Sequence, residues 1–204
     1  MESFESFMRK NIIVLITVVL LVGLGACGSS GDDDYAESTM VVAKRGRVSE
    51  RLIENFDKDY YSLDELKGEF ETSISQYNDN IGGAEIRLKK LELNGSLLTV
   101  DLEFTGPSDY ENFTGESLFV GTVKDAYDNG YTMDVTLKGV DNGDKIGKVQ
   151  IMGLSDNNII IMSEHVRVRT FDDIAYVSAN VDVVSDKEAR ILSESDGLAY
   201  IILK

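Results

Sequence analysis

The most constraining feature of the sequence is a strict alternation that follows an Asn-Gly pair. Beyond Asn94-Gly95, apolar residues alternate with polar ones: Leu98, Val100, Leu102 and Phe104 against Thr99, Asp101 and Glu103. Asn-Gly between two such segments is the strongest short-range signal for a β-hairpin. The sequence therefore predicts strands over residues 85–93 and 97–104, with one face buried and the other in water.

A second pattern predicts one long helix. Ser62 stands where an N-cap is expected, and Glu65 follows three residues later, as in a capping box. Apolar residues then recur at spacings of three and four: Leu63, Leu66, Phe70, Ile74 and Tyr77. They share one face of a helix of about residues 62–79, which Gly82-Gly83 ends. Packing of this face against a sheet is favoured over the alternative, in which it fills a partner's groove.

The rest of the domain contains short β-rich segments. Strands are predicted over residues 131–140, 159–170, 174–184, 189–192 and 198–203, and short helical pieces lie within 108–130, the last over 122–129. Short turns between consecutive strands favour antiparallel pairing. The predicted fold class is therefore α+β, with an antiparallel β-rich sheet, one main amphipathic helix and short helical pieces, rather than a doubly wound sheet.

The N-terminus has the three-part order of an export signal. Arg9 and Lys10 precede the apolar run of residues 12–22, and Leu24-Gly25-Ala26-Cys27 closes the segment. Small residues before a cysteine resemble the lipobox of bacterial lipoproteins, in which the cysteine is diacylated and the chain is cut between Ala26 and Cys27. An uncleaved membrane helix is disfavoured because about 20 apolar residues are needed to span a bilayer. A cleaved secretory signal is the other alternative.

This interpretation divides the chain into three parts. Residues 1–26 are a lipoprotein signal peptide, residues 27–38 a flexible polar tether, and residues 39–204 a single α+β domain. The acidic run of residues 32–34 is assigned to the solvated tether rather than to a cation site. The two acyl chains on Cys27 give stable membrane anchoring. The predicted location is the outer, extracytoplasmic face of the cell membrane.

Composition excludes several classes of function. The formal net charge is -16, and a nucleic-acid-binding surface needs an excess of basic residues. One Cys and one His cannot form an intramolecular disulfide or a Cys/His zinc site. No phosphate-binding loop, dinucleotide fingerprint, nucleophile elbow or Ser-x-x-Lys motif occurs. The sequence therefore predicts no cofactor, no metal and no catalytic residue.

Two local features suggest catalysis or calcium binding, but an exposed strand and ordinary turns explain them better. His165 is the only imidazole and is predicted on the polar face of an exposed strand, without an orienting acid or nucleophile. The clusters of residues 125–130 and 141–144 resemble calcium loops, but reading an EF-hand from Asp125 places Thr136 where the bidentate glutamate belongs. Helix stops and hairpin turns require the same residue types.

A basic cluster interrupts the acidic balance near the start of the domain. It consists of Lys44, Arg45, Arg47 and Arg51, on two short predicted strands around a glycine turn. Neutralisation of neighbouring carboxylates is favoured, and contact with a phosphate polymer or lipid headgroup is the alternative.

Aromatic residues provide the candidate ligand groove. They are Tyr60, Tyr61, Tyr110, Phe113 and Tyr127. Anchoring of loops and core is favoured for these residues, and a ligand groove is the alternative.

Several stretches resemble a recurrent pattern of uncharacterised lipoproteins of Gram-positive bacteria. Besides the lipobox they include Phe56-x-x-x-Tyr60-Tyr61-x-x-Asp64-Glu65-Leu66 and Ile174-x-Tyr176-Val177-Ser178-x-Asn180. The resemblance implies a surface lipoprotein and no catalytic activity.

Two functions follow as hypotheses. The favoured one is a membrane-anchored binding or scaffold module of the cell envelope, with a cell-wall or envelope protein partner. The alternative is an envelope hydrolase that uses Asp, Glu or Tyr groups, and it requires a concave site where several carboxylates meet Tyr110 or Tyr127. A two-lobed solute receptor needs more than one domain's length.

Overall fold

The computed structural model describes residues 37–56, 62–193 and 197–204. The N-terminal half comprises strands β1 (Thr39–Val42) and β2 (Val48–Asn55), helix α1 (Leu63–Ile81), strands β3 (Ile86–Asn94) and β4 (Leu97–Phe104), and helix α2 (Pro107–Thr114). Strand β5 (Leu118–Thr122), helix α3 (Val123–Asp128), strands β6 (Leu137–Gly139) and β7 (Lys145–Ile146) and helix α4 (Lys148–Gly153) follow. The last strands are β8 (Asn158–Met162), β9 (Arg167–Arg169), β10 (Ile174–Ser178), β11 (Val181–Ser185), β12 (Glu188–Ile191) and β13 (Ala199–Leu203).

The strands of the described residues form two sheets. Sheet A has the order β11-β12-β9-β1-β2-β4-β3, and sheet B has the order β5-β8-β13-β10-β6-β7. Strands β1 and β9 pair in parallel, whereas the other paired strands in these ranges are antiparallel. The fold is therefore mixed α+β with largely antiparallel sheets, as the sequence predicts.

Two hydrophobic cores lie on opposite faces of sheet B. The first core joins sheets A and B and includes apolar residues of α1 and α2, among them Ile74, Tyr110 and Phe113. The second core joins the other face of sheet B to α3 and α4 through Val123, Ala126 and Ile151 among others. Strand β13 is buried along its whole length because it contributes to both cores.

Helix α1 confirms the predicted cap, face and stop. The Ser62 side chain accepts a hydrogen bond from the Glu65 amide at 3.3 Å, which satisfies one of the free donors of the first turn. Gly82 adopts φ 78°, and its amide bonds back to the Asn78 carbonyl. The predicted apolar face packs in the first core, where Ile74 and Tyr77 are buried and the earlier residues of the face are partly covered. Hydrophobic burial thus fixes the helix against the sheet.

The hairpin of β3 and β4 also forms as predicted. The two strands pair in antiparallel register from Asn94 opposite Leu97 to Ile86 opposite Phe104, and Gly95 in the turn has φ 62°. The four predicted apolar residues of β4 are buried, whereas the intervening residues are partly exposed.

Three predicted strands differ from the structure. Residues 159–170 divide into β8 of sheet B and β9 of sheet A, and residues 174–184 divide into β10 of sheet B and β11 of sheet A. The alternation of core-facing positions continues from β8 into β9, because Met162, Val166 and Val168 all face the first core. Residues 131–136 form no strand, because Tyr131, Met133 and Val135 cover the second core instead.

Ion pairs fix the start of the domain to the outer face of sheet A. The carboxylate of Glu37, a residue of the predicted tether, accepts bonds from Arg190 at 2.7 and 3.0 Å and from Arg167 at 3.2 Å. Arg167 also bonds to Glu188 at 2.8 Å. This charge network, which we call the Glu37 clamp, connects the segment just before β1 to β9 and β12.

Candidate functional site

Glu50 occupies a core-facing position in β2 that an apolar residue would normally hold. Its register partners are Met40 on β1 and Leu102 on β4, both in the first core. Glu50 is only 3% exposed, and its carboxyl group is hydrogen-bonded to that of Glu164. A buried carboxyl group is costly unless it is neutral or well bonded, so this position is chemically unusual.

Tyr110 completes a group that we call the carboxyl cluster: Glu50, Glu164 and Tyr110. Tyr110 lies on α2 with no exposed surface, and its hydroxyl donates a hydrogen bond to the Glu164 carboxylate. Its ring packs edge-on against Phe104 with the ring centres 5.3 Å apart. Through Tyr110, helix α2 therefore contacts β4 of sheet A and the segment that connects β8 to β9.

The environment of the cluster favours protonated groups. Burial, and then the charge of Glu164, raise the pKa of Glu50 well above its ordinary value. Burial also raises the pKa of Glu164, although the hydrogen bonds from Glu50 and Tyr110 oppose this shift. Burial and the charges of Glu164 and Glu50 raise the pKa of Tyr110. Glu164 is partly exposed as a residue, but its carboxyl group lies against the buried Glu50 and Tyr110.

The cluster reaches the surface through the residues around Glu164. Ser163 donates to the Glu116 carboxylate at 2.6 Å and accepts from the Ser117 amide at 2.8 Å. Glu116 and His165 are exposed. Carboxylates therefore meet Tyr110, as the hydrolase hypothesis requires, but they do so in the interior rather than in a concave site open to a substrate.

A separate open groove lies between α2, β5 and the end of α3. It encloses about 430 Å³ and is lined by Pro107, Ser108, Glu111, Leu118, Phe119, Val120, Asn129, Gly130 and Tyr131. Its volume lies in the range of small-molecule sites. We call it the α2–β5 groove.

Aromatic, acidic and neutral polar side chains line the α2–β5 groove. The rings of Phe119 and Tyr131 pack with centres 5.1 Å apart. Glu111 is held in place because one of its carboxylate oxygens accepts the Leu118 amide at 3.0 Å. Burial and the charge of Glu111 raise the pKa of Tyr131. The groove therefore offers an aromatic wall, a fixed negative charge and neutral polar groups.

The aromatic residues of the predicted ligand groove do not line the α2–β5 groove. Tyr110 and Phe113 pack in the first core, whereas Tyr127 is 49% exposed on α3. Tyr60 and Tyr61 lie outside the described residues, as do Ala26 and Cys27. A groove formed by these five aromatic residues stays a prediction.

The acidic turns are occupied by local structural contacts. Asp125 forms a reciprocal capping box with Thr122 at the start of α3, and Gly130 ends the helix with φ 89°. Asp128 pairs with Lys124. In the turn of residues 141–144, Asn142 bonds to Asp144 at 2.7 Å. No group of three or more ligating side chains in the described ranges is arranged to hold a metal ion.

The basic cluster divides into two parts. Arg51 forms two bonds to Asp101, at 2.7 and 2.8 Å, as the neutralisation hypothesis predicts. Lys44, Arg45 and Arg47 lie exposed in the turn between β1 and β2, without an ion pair to any residue in the described ranges.

Sequence reasoning missed Glu50 and Glu164, although a signal for each was present. Glu50 lies between Val48 and Leu52 in the apolar phase of β2, and Glu164 lies between Met162 and Val166 in the same way. A carboxyl group at a core-facing position of an alternating strand breaks the expected apolar pattern, and such a buried group has an unusual pKa.

The chain was compared with family models, curated proteins and solved structures, and no match was found in any of the three comparisons. Within the described residues, no helix is both long enough and apolar enough to cross a membrane.

Proposed function

We propose that this chain is a membrane-anchored extracytoplasmic lipoprotein whose folded domain is a binding module of the cell envelope. The Leu24-Gly25-Ala26-Cys27 sequence after an apolar run carries the proposed location. Diacylglycerol on Cys27 supplies the membrane contact, so the acidic domain does not need a lipid-binding surface of its own.

The α2–β5 groove supports the binding role. Small-molecule sites combine apolar and aromatic walls with a few fixed polar groups, which is the composition of this groove. Glu111 is positioned by the Leu118 amide, so little conformational freedom is lost when a ligand bonds to it. The rings of Phe119 and Tyr131 provide a flat wall for stacking.

Charge narrows the class of ligand. Glu111 faces the groove in a protein of formal net charge -16, so anionic ligands are repelled and cationic ones attracted. Aromatic rings also attract ammonium groups. The proposed ligand is a small polar molecule with an amino group and a flat or ring-shaped body, such as an amino sugar.

The location is tested by the intact mass of the protein purified from membranes of a Gram-positive expression host. Cleavage before Cys27 with addition of diacylglycerol is expected, and the Cys27→Ala variant is the control because it has no thiol to acylate. An uncleaved, unmodified wild-type mass contradicts the proposed anchoring.

The groove is tested by NMR titration of residues 28–204 with glucosamine and with N-acetylglucosamine. These two sugars share one ring and differ in the charged amino group. Glucosamine is expected to shift resonances around Phe119 and Tyr131 and to bind about tenfold more weakly to Glu111→Gln, a loss of about 1.4 kcal/mol. The exposed Glu69→Gln variant is the matched control. Unchanged groove resonances at millimolar concentrations of both sugars contradict the proposed ligand class.

A further inference from the structure

The carboxyl cluster lies where the chain crosses from one sheet to the other. Residues 163–166 connect β8 of sheet B to β9 of sheet A, and Glu164 belongs to this connection. From there it contacts Glu50 on β2 and Tyr110 on α2. The cluster therefore joins both sheets and a helix through side chains that titrate.

An acidic and a basic neighbour both act on this pair. Glu116, in the connection between α2 and β5, adds negative charge to both members, and His165 beside Glu164 opposes it. From the neighbouring strands the register partners Met40 and Leu102 are apolar. Arg51, the next residue on β2, bonds to Asp101 on the opposite face of the sheet.

Two buried carboxyl groups in hydrogen-bond contact need a proton between them. Two ionised carboxylates at this separation repel each other and have no proton with which to form the bond. Burial increases this repulsion because the local dielectric constant is low. A neutral carboxyl that donates to its ionised partner satisfies both groups.

We propose that Glu50 and Glu164 share one proton in the folded protein and form a pH-sensitive latch between the two sheets. Loss of the shared proton places two negative charges in the first core and loosens the crossing segment from β2 and α2. This latch requires neither the ligand proposed for the α2–β5 groove nor the anchor on Cys27.

The direction of the pH dependence follows from the shifts of pKa. In the unfolded chain both glutamates titrate near the ordinary pKa of 4.5, whereas burial raises the pKa of each in the fold. Between these values the folded state binds more protons than the unfolded state, so stability falls as pH rises. For one proton, the unfolding equilibrium constant rises about tenfold per pH unit across the window.

The test measures urea unfolding of residues 28–204 at pH 5.5, 6.5 and 7.5. Both cores are composed of residues 40–203, so this form contains the whole described fold. We expect the unfolding constant of the wild type to rise across the series by up to about tenfold per pH unit. Glu50→Gln can donate to Glu164 at every pH, so its curve is expected to be flatter and its stability higher than wild type at pH 7.5.

Three further variants separate the latch from general charge effects. Glu69→Gln removes an exposed acid on α1 and is expected to keep the wild-type slope. His165→Gln removes the chain's one imidazole, which lies beside Glu164, and is expected to keep most of the slope. Glu164→Gln is expected to lose the slope as Glu50→Gln does. Parallel wild-type and Glu50→Gln curves overturn the proposal.

Two measurements do not depend on the stability of a variant. Infrared spectroscopy of the wild type at pH 7 is expected to show the carbonyl stretch of a protonated carboxylic acid, and its absence overturns the proposal. Hydrogen exchange reports on the crossing segment itself, because the Ile191 amide bonds to the Val166 carbonyl at 3.0 Å. Its protection factor is expected to fall between pH 5.5 and 7.5, and a protection factor that stays the same over this range refutes the latch.

Discussion

Removal of the Tyr110 hydroxyl tests the hydrogen bonding and protonation of the carboxyl cluster. Tyr110→Phe removes the donor to Glu164 and leaves the ring in place against Phe104, 5.3 Å between centres. Because the ring is fully buried and its shape is unchanged, no large cavity forms. The change in the free energy of unfolding therefore reports mainly the lost hydrogen bond.

Its magnitude depends on the charge of the acceptor. A bond to an ionised carboxylate contributes about 1.5–3 kcal/mol, and a bond between neutral groups about 0.5–1.5 kcal/mol. The raised pKa values of Glu50 and Glu164 favour neutral carboxyl groups at low pH. The destabilisation is therefore expected to be about 1 kcal/mol larger at pH 7.5 than at pH 5.

The assay is urea unfolding at the two pH values, with Tyr77→Phe as the matched control. Tyr77 donates to the carboxylate of Asp109 at 3.0 Å and also packs edge-on against a phenylalanine ring, Phe113, 5.9 Å away. Its substitution is expected to cost nearly the same at both pH values. A Tyr110→Phe loss that is equal at pH 5 and pH 7.5 refutes the reasoning, and so does a loss below about 0.5 kcal/mol.

Three other predictions concern the fold. Ile201→Ala, in fully buried β13, is expected to cost about 2–5 kcal/mol, whereas Val149→Ala, at a residue 83% exposed, changes stability by about 0.5 kcal/mol or less in thermal unfolding. Ser62→Ala removes the cap of α1 and is expected to cost about 0.5–2 kcal/mol, with loss of protection at the Glu65 amide as the local readout. Hydrogen bonds from Arg169 and Arg167 lower the pKa of Glu188, so Glu188→Gln is expected to lower the free energy of unfolding by about 1 kcal/mol at pH 7. This difference disappears as the pH falls below 4.5 and through the lowered pKa of Glu188. Equal stability of wild type and variant at pH 7 contradicts the prediction.

Local signals in the sequence predicted the elements that depend on neighbouring residues. The cap at Ser62, the stop at Gly82 and the turn at Gly95 each depend on contacts within a few residues, and each forms as expected. The fold class follows from the same signals, because strands joined by short turns favour antiparallel sheets.

The crossing between sheets was not predictable in this way. Residues 162–168 keep the same alternation of core-facing positions while the chain leaves one sheet and enters the other, with Glu164 at the one core-facing position that is not apolar. The contact between Glu50 and Glu164 depends on that crossing, so no spacing in the sequence indicates it. Only the two charges at core-facing positions indicated that these residues were unusual.

The position of the Glu37 clamp has a mechanical consequence. Strand β1 begins two residues after Glu37 and lies inside sheet A, parallel to β9 on one side and antiparallel to β2 on the other. A pull directed along β1 loads its hydrogen bonds to both neighbours together in shear instead of breaking them one by one. Glu37 transfers part of the same load to Arg167 and Arg190. A domain held in this way resists tension at the end nearest the proposed membrane anchor.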